Sequence, residues 1–256
     1  TVDASWFLPS AKRDPAAEFL AGHIPGAVFF DIDGVADKST DLPHMLLPPA
    51  EFGRQVGALG IGSDMTIIIY DEAGLFSAPR VWWEFVTMGA ADVRILDGGG
   101  AQWRAEGRPL EPGQSRRPAA VFTPHFHPEL VRSFAQVKEA IAAHGAIGDA
   151  RPAGRFAGRD PEPRPGLRSG HMPGATSVPA ADLVDGGRLK PVDELRRIFE
   201  RAGLGLAQPI ITSCGSGVTA STLMLALKMA GASDVAVYDG AWAEWGARDD
   251  APVITG

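Results

Sequence analysis

Short runs of β-branched and aromatic residues alternate along the chain with stretches whose apolar side chains recur at helical spacing. Val28-Phe29-Phe30, Thr66–Tyr70 and Val93–Leu96 have the length and composition of buried strands, bounded by glycine, proline and aspartate. Between them, Pro49–Leu59 and Ser77–Met88 carry apolar residues three and four apart, which predicts two helices. The second half repeats the scheme. Helices are predicted over Ser133–His144, over Pro191–Ala202 with Val192, Leu195, Ile198 and Phe199 on one face, and over the strongly apolar Val218–Ala230. Such alternation predicts an α/β fold with a mostly parallel sheet flanked by helices on both faces. Ligands in such folds sit at the carboxyl ends of the strands.

The pattern is duplicated. Gly22-His23-Ile24-Pro25-Gly26-Ala27 returns as Gly170-His171-Met172-Pro173-Gly174-Ala175, and Asp97-Gly98-Gly99 with Trp103 returns as Asp239-Gly240-Ala241 with Trp245. Ile67–Tyr70 and Ser77-Ala78 likewise pair with the run around Ile210-Ile211 and with Thr219-Ala220. Matches in one order mean two copies of one domain. The expected boundaries are a first domain over 1–110, a proline-rich linker without periodicity over 111–128, and a second domain over 129–256. Thr1–Ser5 reads as the end of a strand, so sequence is expected upstream of it. At Ala146–Arg151 a bulkier strand is expected than the one written, which leaves the sheet edge there undefined.

Composition narrows the function classes. The 256 residues are 45% hydrophobic and 21% charged with a formal charge of -7, an ordinary folded chain without the basic face that nucleic acid demands. No run of about 18 apolar residues and no signal-peptide pattern occurs, so a cytoplasmic protein with no membrane partner is expected. There is one cysteine, Cys214, which excludes intramolecular disulfides and multi-cysteine metal clusters. His125 and His127, two apart with no third ligand nearby, make a poor metal site, and neither metal nor cofactor is expected.

Cys214 stands in Ile210-Ile211-Thr212-Ser213-Cys214-Gly215-Ser216-Gly217-Val218-Thr219-Ala220, a buried-looking strand, a glycine-punctuated loop and a helix start. Two glycines let the loop curl until successive N–H groups from Gly215, Gly217, Val218 and Thr219 face one point, and the helix N-terminus adds positive potential there. Such a cradle stabilises a thiolate or a persulfide anion, and so suits a nucleophile. A buried, inert core cysteine is the alternative.

This loop, the paired His-x-Pro-Gly-Ala segments and the paired Asp-Gly…Trp segments resemble the rhodanese-type sulfurtransferases in their tandem two-domain form. Within them the Cys-Gly-Ser-Gly-Val-Thr loop is most similar to the 3-mercaptopyruvate sulfurtransferase branch; thiosulfate sulfurtransferases typically carry basic residues after the cysteine. The resemblance implies a Cys214 persulfide, loaded from 3-mercaptopyruvate with release of pyruvate and discharged to cyanide or to a thiol acceptor such as thioredoxin. It also implies substrate-binding roles for Arg155 and Arg164, whose forks suit a carboxylate and its neighbouring keto oxygen. Arg159, in the same loop, reads as a solvated charge.

The first copy shows Glu72 opposite Cys214 and is expected to be non-catalytic. The resemblance nevertheless implies that its Asp33 and His44 join Ser216 in a proton-handling arrangement across a cleft between the domains, with ordinary capping and packing as the alternative. His23 and His171, present in both copies, are expected to be structural. Other readings are a thiosulfate sulfurtransferase, disfavoured by the uncharged Gly215 and Ser216, and a non-enzymatic persulfide carrier or regulatory module, which would have no need of Arg155 and Arg164. A cysteine phosphatase is set aside because Ala220 stands where a phosphate-clamping arginine belongs.

Overall fold

A computed structural model of the chain describes all residues, Thr1 to Gly256. It divides into two compact units, one made of Thr1–Ser39, Leu46–His127 and Gly186–Arg188, the other of Thr40–Met45, Pro128–Asp185 and Leu189–Gly256.

The first unit runs β1 (Val2–Asp3), α1 (Pro15–Ala21), β2 (Val28–Phe29), α2 (Pro49–Ala58), β3 (Thr66–Tyr70), α3 (Ala78–Thr87), β4 (Asp92–Ile95) and α4 (Gly99–Ala105). Its sheet has the order β2-β1-β3-β4, and every pairing is parallel, with Val2 beside both Val28 and Ile69 and Ile67 beside Val93. Helix α1 escapes the hydrophobic pattern. Its start is nonetheless written in Asp14-Pro15, where the aspartate accepts from Ala17 N at 3.0 Å and the proline occupies the first turn.

Residues 111–127 carry no regular element, yet they are tied to the first unit's core. Phe122 is buried edge-on against Phe52 and Phe85, with ring centroids 5.7 and 5.8 Å away. Gly53 and Gly57 make this possible: a Cβ on either would stand 2.6 Å from the carbonyl oxygen of Phe122 or Ala120. The backbone amides of His125 and His127 donate to Met88 and Thr87 at the end of α3, so this histidine pair laces a strap to a helix. The proline content that suggests a linker says nothing of the one phenylalanine that anchors the segment.

The second unit runs β5 (Val131–Arg132), α5 (Phe134–Ala142), β6 (Ala146–Asp149), α6 (Ala153–Phe156), β7 (Ala175–Ser177), the hairpin β8 (Val184–Asp185) and β9 (Arg188–Leu189), α7 (Val192–Ala202), β10 (Ile210–Ser213), α8 (Val218–Ala230), β11 (Val235–Tyr238) and α9 (Ala241–Trp245). The five-stranded parallel sheet has the order β5-β11-β10-β6-β7, the first unit's order with one strand added. Strand β6, thin in sequence, is interior to this sheet and not an edge. Gly148 is small because the side chain of Leu223 from α8 lies where its Cβ would be, 2.9 Å away.

The repeated motifs are structural in the same way twice. The rings of His23 and His171 stack on Phe19 and Phe156 with centroids 3.9 Å apart, and each Nδ1 bonds the carbonyl of that phenylalanine at 2.9 Å. Their backbones form antiparallel bridges to Glu111 and Ile254. Trp103 and Trp245 donate their indole N–H to Pro109 and Pro252 carbonyls, at 2.8 and 2.9 Å. No helix is long and apolar enough to cross a membrane.

Candidate active site

Strand β10 is enclosed by β6 and β11, so its carboxyl end opens at the middle of the sheet, and Cys214 is the first residue beyond it. The residue is 2% exposed. Only Gly215, Ser216 and Gly217 separate it from α8, and Gly217 makes the turn in the left-handed region at φ 83°, where a side chain would be strained. The loop is braced from below: Trp242 N donates to the Cys214 carbonyl at 2.9 Å and Ala243 N to the Gly215 carbonyl at 3.0 Å. The N–H groups of Gly215 through Thr219 donate to no backbone carbonyl, and α8 has no side-chain cap. Five N–H groups without a backbone acceptor and a helix N-terminus therefore follow the cysteine in the chain, the elements of an anion cradle.

The first unit shows what fills such a cradle when the cysteine is gone. Asp71, not Glu72, is the counterpart of Cys214: it is the first residue after β3, and its carbonyl accepts from Gly100 N at 3.0 Å, as the Cys214 carbonyl accepts from Trp242 N. Its carboxylate takes five loop N–H bonds of 2.8–3.0 Å, from Ala73 and Leu75 on Oδ1 and from Phe76, Ser77 and Ala78 on Oδ2. The expected pairing with Glu72 fails because the first copy's loop is longer than the second's, which shifts the sequence offset between strand and helix. Glu72 lies beside this cradle, paired with Arg104 at 3.1 Å, and burial raises its carboxyl above the usual range. Asp3, buried against Ser5 and Tyr70, is raised for the same reason.

Beside Cys214 the side chains form an alternating line of charge. Arg151, at the end of β6, is held by Asp149 through Nε and Nη2 at 3.0 and 2.6 Å and donates to the Gly170 carbonyl at 2.7 Å. Its guanidinium lies over the Trp242 ring, 4.1 Å from the centroid, and its Nη1 reaches Glu162 at 2.8 Å. Glu162 in turn grips Arg155 through Nε at 3.3 Å and through Nη2. Arg155 reaches the cysteine loop itself: a Cβ on Gly215 would sit 3.1 Å from its Nη2. Sequence reasoning finds Arg155 but passes over Asp149, Arg151 and Glu162. The available signal is an acidic residue framed by prolines between two arginines, in Arg159-Asp160-Pro161-Glu162-Pro163-Arg164.

The other expected site residues fall as follows. Ser216 is buried in the cysteine loop, with Val218 buried and Thr219 half-buried in the first turn of α8. Arg164 is half-buried in the same long loop as Glu162. Arg159 is exposed. His44 is buried with its backbone in the left-handed region at φ 59°, in the short segment Thr40–Met45 that belongs to the second unit. Asp33 is exposed in the first unit, where it accepts from Trp6 Nε1 at 2.8 Å. No three His, Cys, Asp or Glu side chains come together as a metal cluster.

A duplicated parallel α/β domain with one cysteine in a donor-lined strand-to-helix turn defines a two-domain, cysteine-centred α/β protein. The Rhodanese-like domain matches the chain twice, over residues 13–106 and 133–248. The chain is 48% identical to the 3-mercaptopyruvate sulfurtransferase of Escherichia coli (strain K12), over 98% of this chain and 90% of that one. It is 40% identical to the mitochondrial thiosulfate/3-mercaptopyruvate sulfurtransferase 1 of Arabidopsis thaliana, over 98% and 73% of the two chains. The crystal structure of SseA from Escherichia coli superposes with a TM-score of 0.87 at 45% identity, covering 94% of this chain and 91% of that one. The chain belongs to the rhodanese family of sulfurtransferases, in the two-domain branch of the 3-mercaptopyruvate sulfurtransferases.

Proposed function

We propose that the protein transfers sulfur from 3-mercaptopyruvate to a thiol acceptor or cyanide through a persulfide on Cys214. The observation that carries this reading is the Arg155 guanidinium against Gly215, which puts a bidentate cation one residue from the nucleophile. The Cys214 thiolate attacks the thiol sulfur of the donor; the new S–S bond forms as the C–S pair leaves as the enolate of pyruvate. The donor's thiol proton ends on the methyl carbon, so the step needs no redox partner. Arg155 and Arg164 hold the carboxylate and keto oxygen, and the N–H groups of Gly215, Gly217, Val218 and Thr219 receive the charge of the outer sulfur. Ser216, His44 and Asp33 move the proton. A cytoplasmic setting, where thiols stay reduced, suits a lone reactive thiol and an acceptor such as reduced thioredoxin.

Intact mass spectrometry tests the intermediate. Incubation with mercaptopyruvate adds about 32 Da, the mass of one sulfur, and cyanide removes it. Cys214→Ser shows neither the adduct nor pyruvate release, and turnover by that variant would end the reading. Thiosulfate is the second donor to consider, since the Arabidopsis relative's name includes it. The uncharged Gly215 and Ser216 argue against a dianion as the preferred donor. Thiosulfate used as efficiently as mercaptopyruvate would reverse that order.

A further inference from the structure

The line Asp149, Arg151, Glu162, Arg155 alternates in sign and ends on a cation. Its first three side chains are each 1% exposed, whereas Arg155 is 19% exposed. The inner three are anchored independently of Arg155. Asp149 ends a central strand, and Arg151 has Asp149, the Gly170 carbonyl and the face of Trp242. Arg155, by contrast, sits at the end of the four-residue helix α6, and the only side chain that holds it is Glu162.

We infer that Glu162 is the positioning residue of the donor site, pinning Arg155 so that its fork faces the Cys214 loop before substrate arrives. The inference rests on the reading of Arg155 as the carboxylate-binding group. A guanidinium has five N–H donors, of which Glu162 engages those on Nε and Nη2, leaving Nη1 and the rest of Nη2 for a ligand. A long arginine pays rotamer entropy when it binds an anion, and a buried carboxylate that already fixes the rotamer removes that cost from the binding step. Glu162 can be a fixed point because Arg151 also holds its Oε1, at 2.8 Å. The carboxylate of the donor then completes the alternation as its fifth charge. Gly215 lies against the same device: a Cβ there would come within 3.1 Å of Nη2 and press on the held guanidinium.

The test is a double-mutant cycle with Glu162→Gln, Arg155→Ala and the two together, following pyruvate release from mercaptopyruvate and discharge of the persulfide to cyanide. Glu162→Gln is expected to raise KM for mercaptopyruvate about 10-fold with kcat little changed, as expected for loss of uniform binding. KM for cyanide stays constant. The double variant should be no worse than Arg155→Ala alone, because Glu162 acts only through Arg155. Unchanged KM in Glu162→Gln, or additive losses in the double variant, would overturn the inference while leaving the sulfurtransferase reading intact. Absence of pyruvate from the unmutated protein, or an unchanged KM in Arg155→Ala, would overturn the reading beneath it. Should Glu162→Gln fail to fold, Glu162→Asp keeps the charge but withdraws it by one methylene and must show the same rise in KM.

Discussion

Asp71 and Cys214 occupy one position in two copies of a fold. Each follows a central strand directly, and each carbonyl accepts a backbone N–H from the helix start after the Asp-Gly turn, Gly100 for Asp71 and Trp242 for Cys214. In one copy the loop donors close on a carboxylate built into the chain; in the other the loop N–H groups have no backbone acceptor and follow a cysteine. An anion cradle is a property of the strand–loop–helix turn. Which anion it serves depends on one side chain.

The first copy should therefore be held together by the charge it has internalised. Asp71→Asn replaces one acceptor oxygen by an NH2 group facing backbone donors, and is expected to destabilise the chain by about 3 kcal/mol. Urea unfolding measures this; a loss below about 0.5 kcal/mol, the usual size of surface effects, would show that the five bonds contribute little. Pyruvate release per folded molecule should not change.

Asp3 gives the same unit an unusual pH response. Burial raises its carboxyl, so the folded state holds the proton more tightly than the unfolded chain does. Stability from this group is complete below the unfolded value of about 4 and is lost as pH rises through the raised folded value. Asp3→Asn removes the titration while keeping the shape. Melting temperature plotted against pH should fall less steeply above pH 4 in the variant than in the parent, and identical slopes would contradict the assignment.

His44 tests the proton relay. Its backbone is left-handed, a conformation that asparagine tolerates, so His44→Asn removes the imidazole without forcing the segment to refold. We expect kcat for pyruvate release to fall about 100-fold or more, with a smaller effect on KM. Asp33→Asn should cost less, because it leaves the imidazole in place. A wild-type kcat in His44→Asn would remove the histidine from the mechanism.

Much of this protein is legible in one dimension. The alternation of apolar runs locates β3, α8 and α7 to within a residue, because strand and helix periods are local geometry and burial repeats with them. The duplication follows from motif order, and the candidate nucleophile from the one cysteine, set in a glycine-punctuated loop. Other features were set by atoms distant in sequence. The thinness of β6 is explained only by Leu223, the ordering of the proline-rich strap by Phe52 and Phe85, and the counterpart of Cys214 by hydrogen bonds, since a longer loop displaces the sequence offset. The charged line behind Arg155 is the clearest case. Asp149, Arg151 and Glu162 look like ordinary loop and strand-end charges until the sheet brings them out of water, where each buried charge requires a partner and the partners together define a direction. Periodicity and composition determine which elements form and single out Cys214 as the candidate nucleophile. Desolvation in the folded interior determines which charges are coupled, and therefore what lies in wait beside the sulfur.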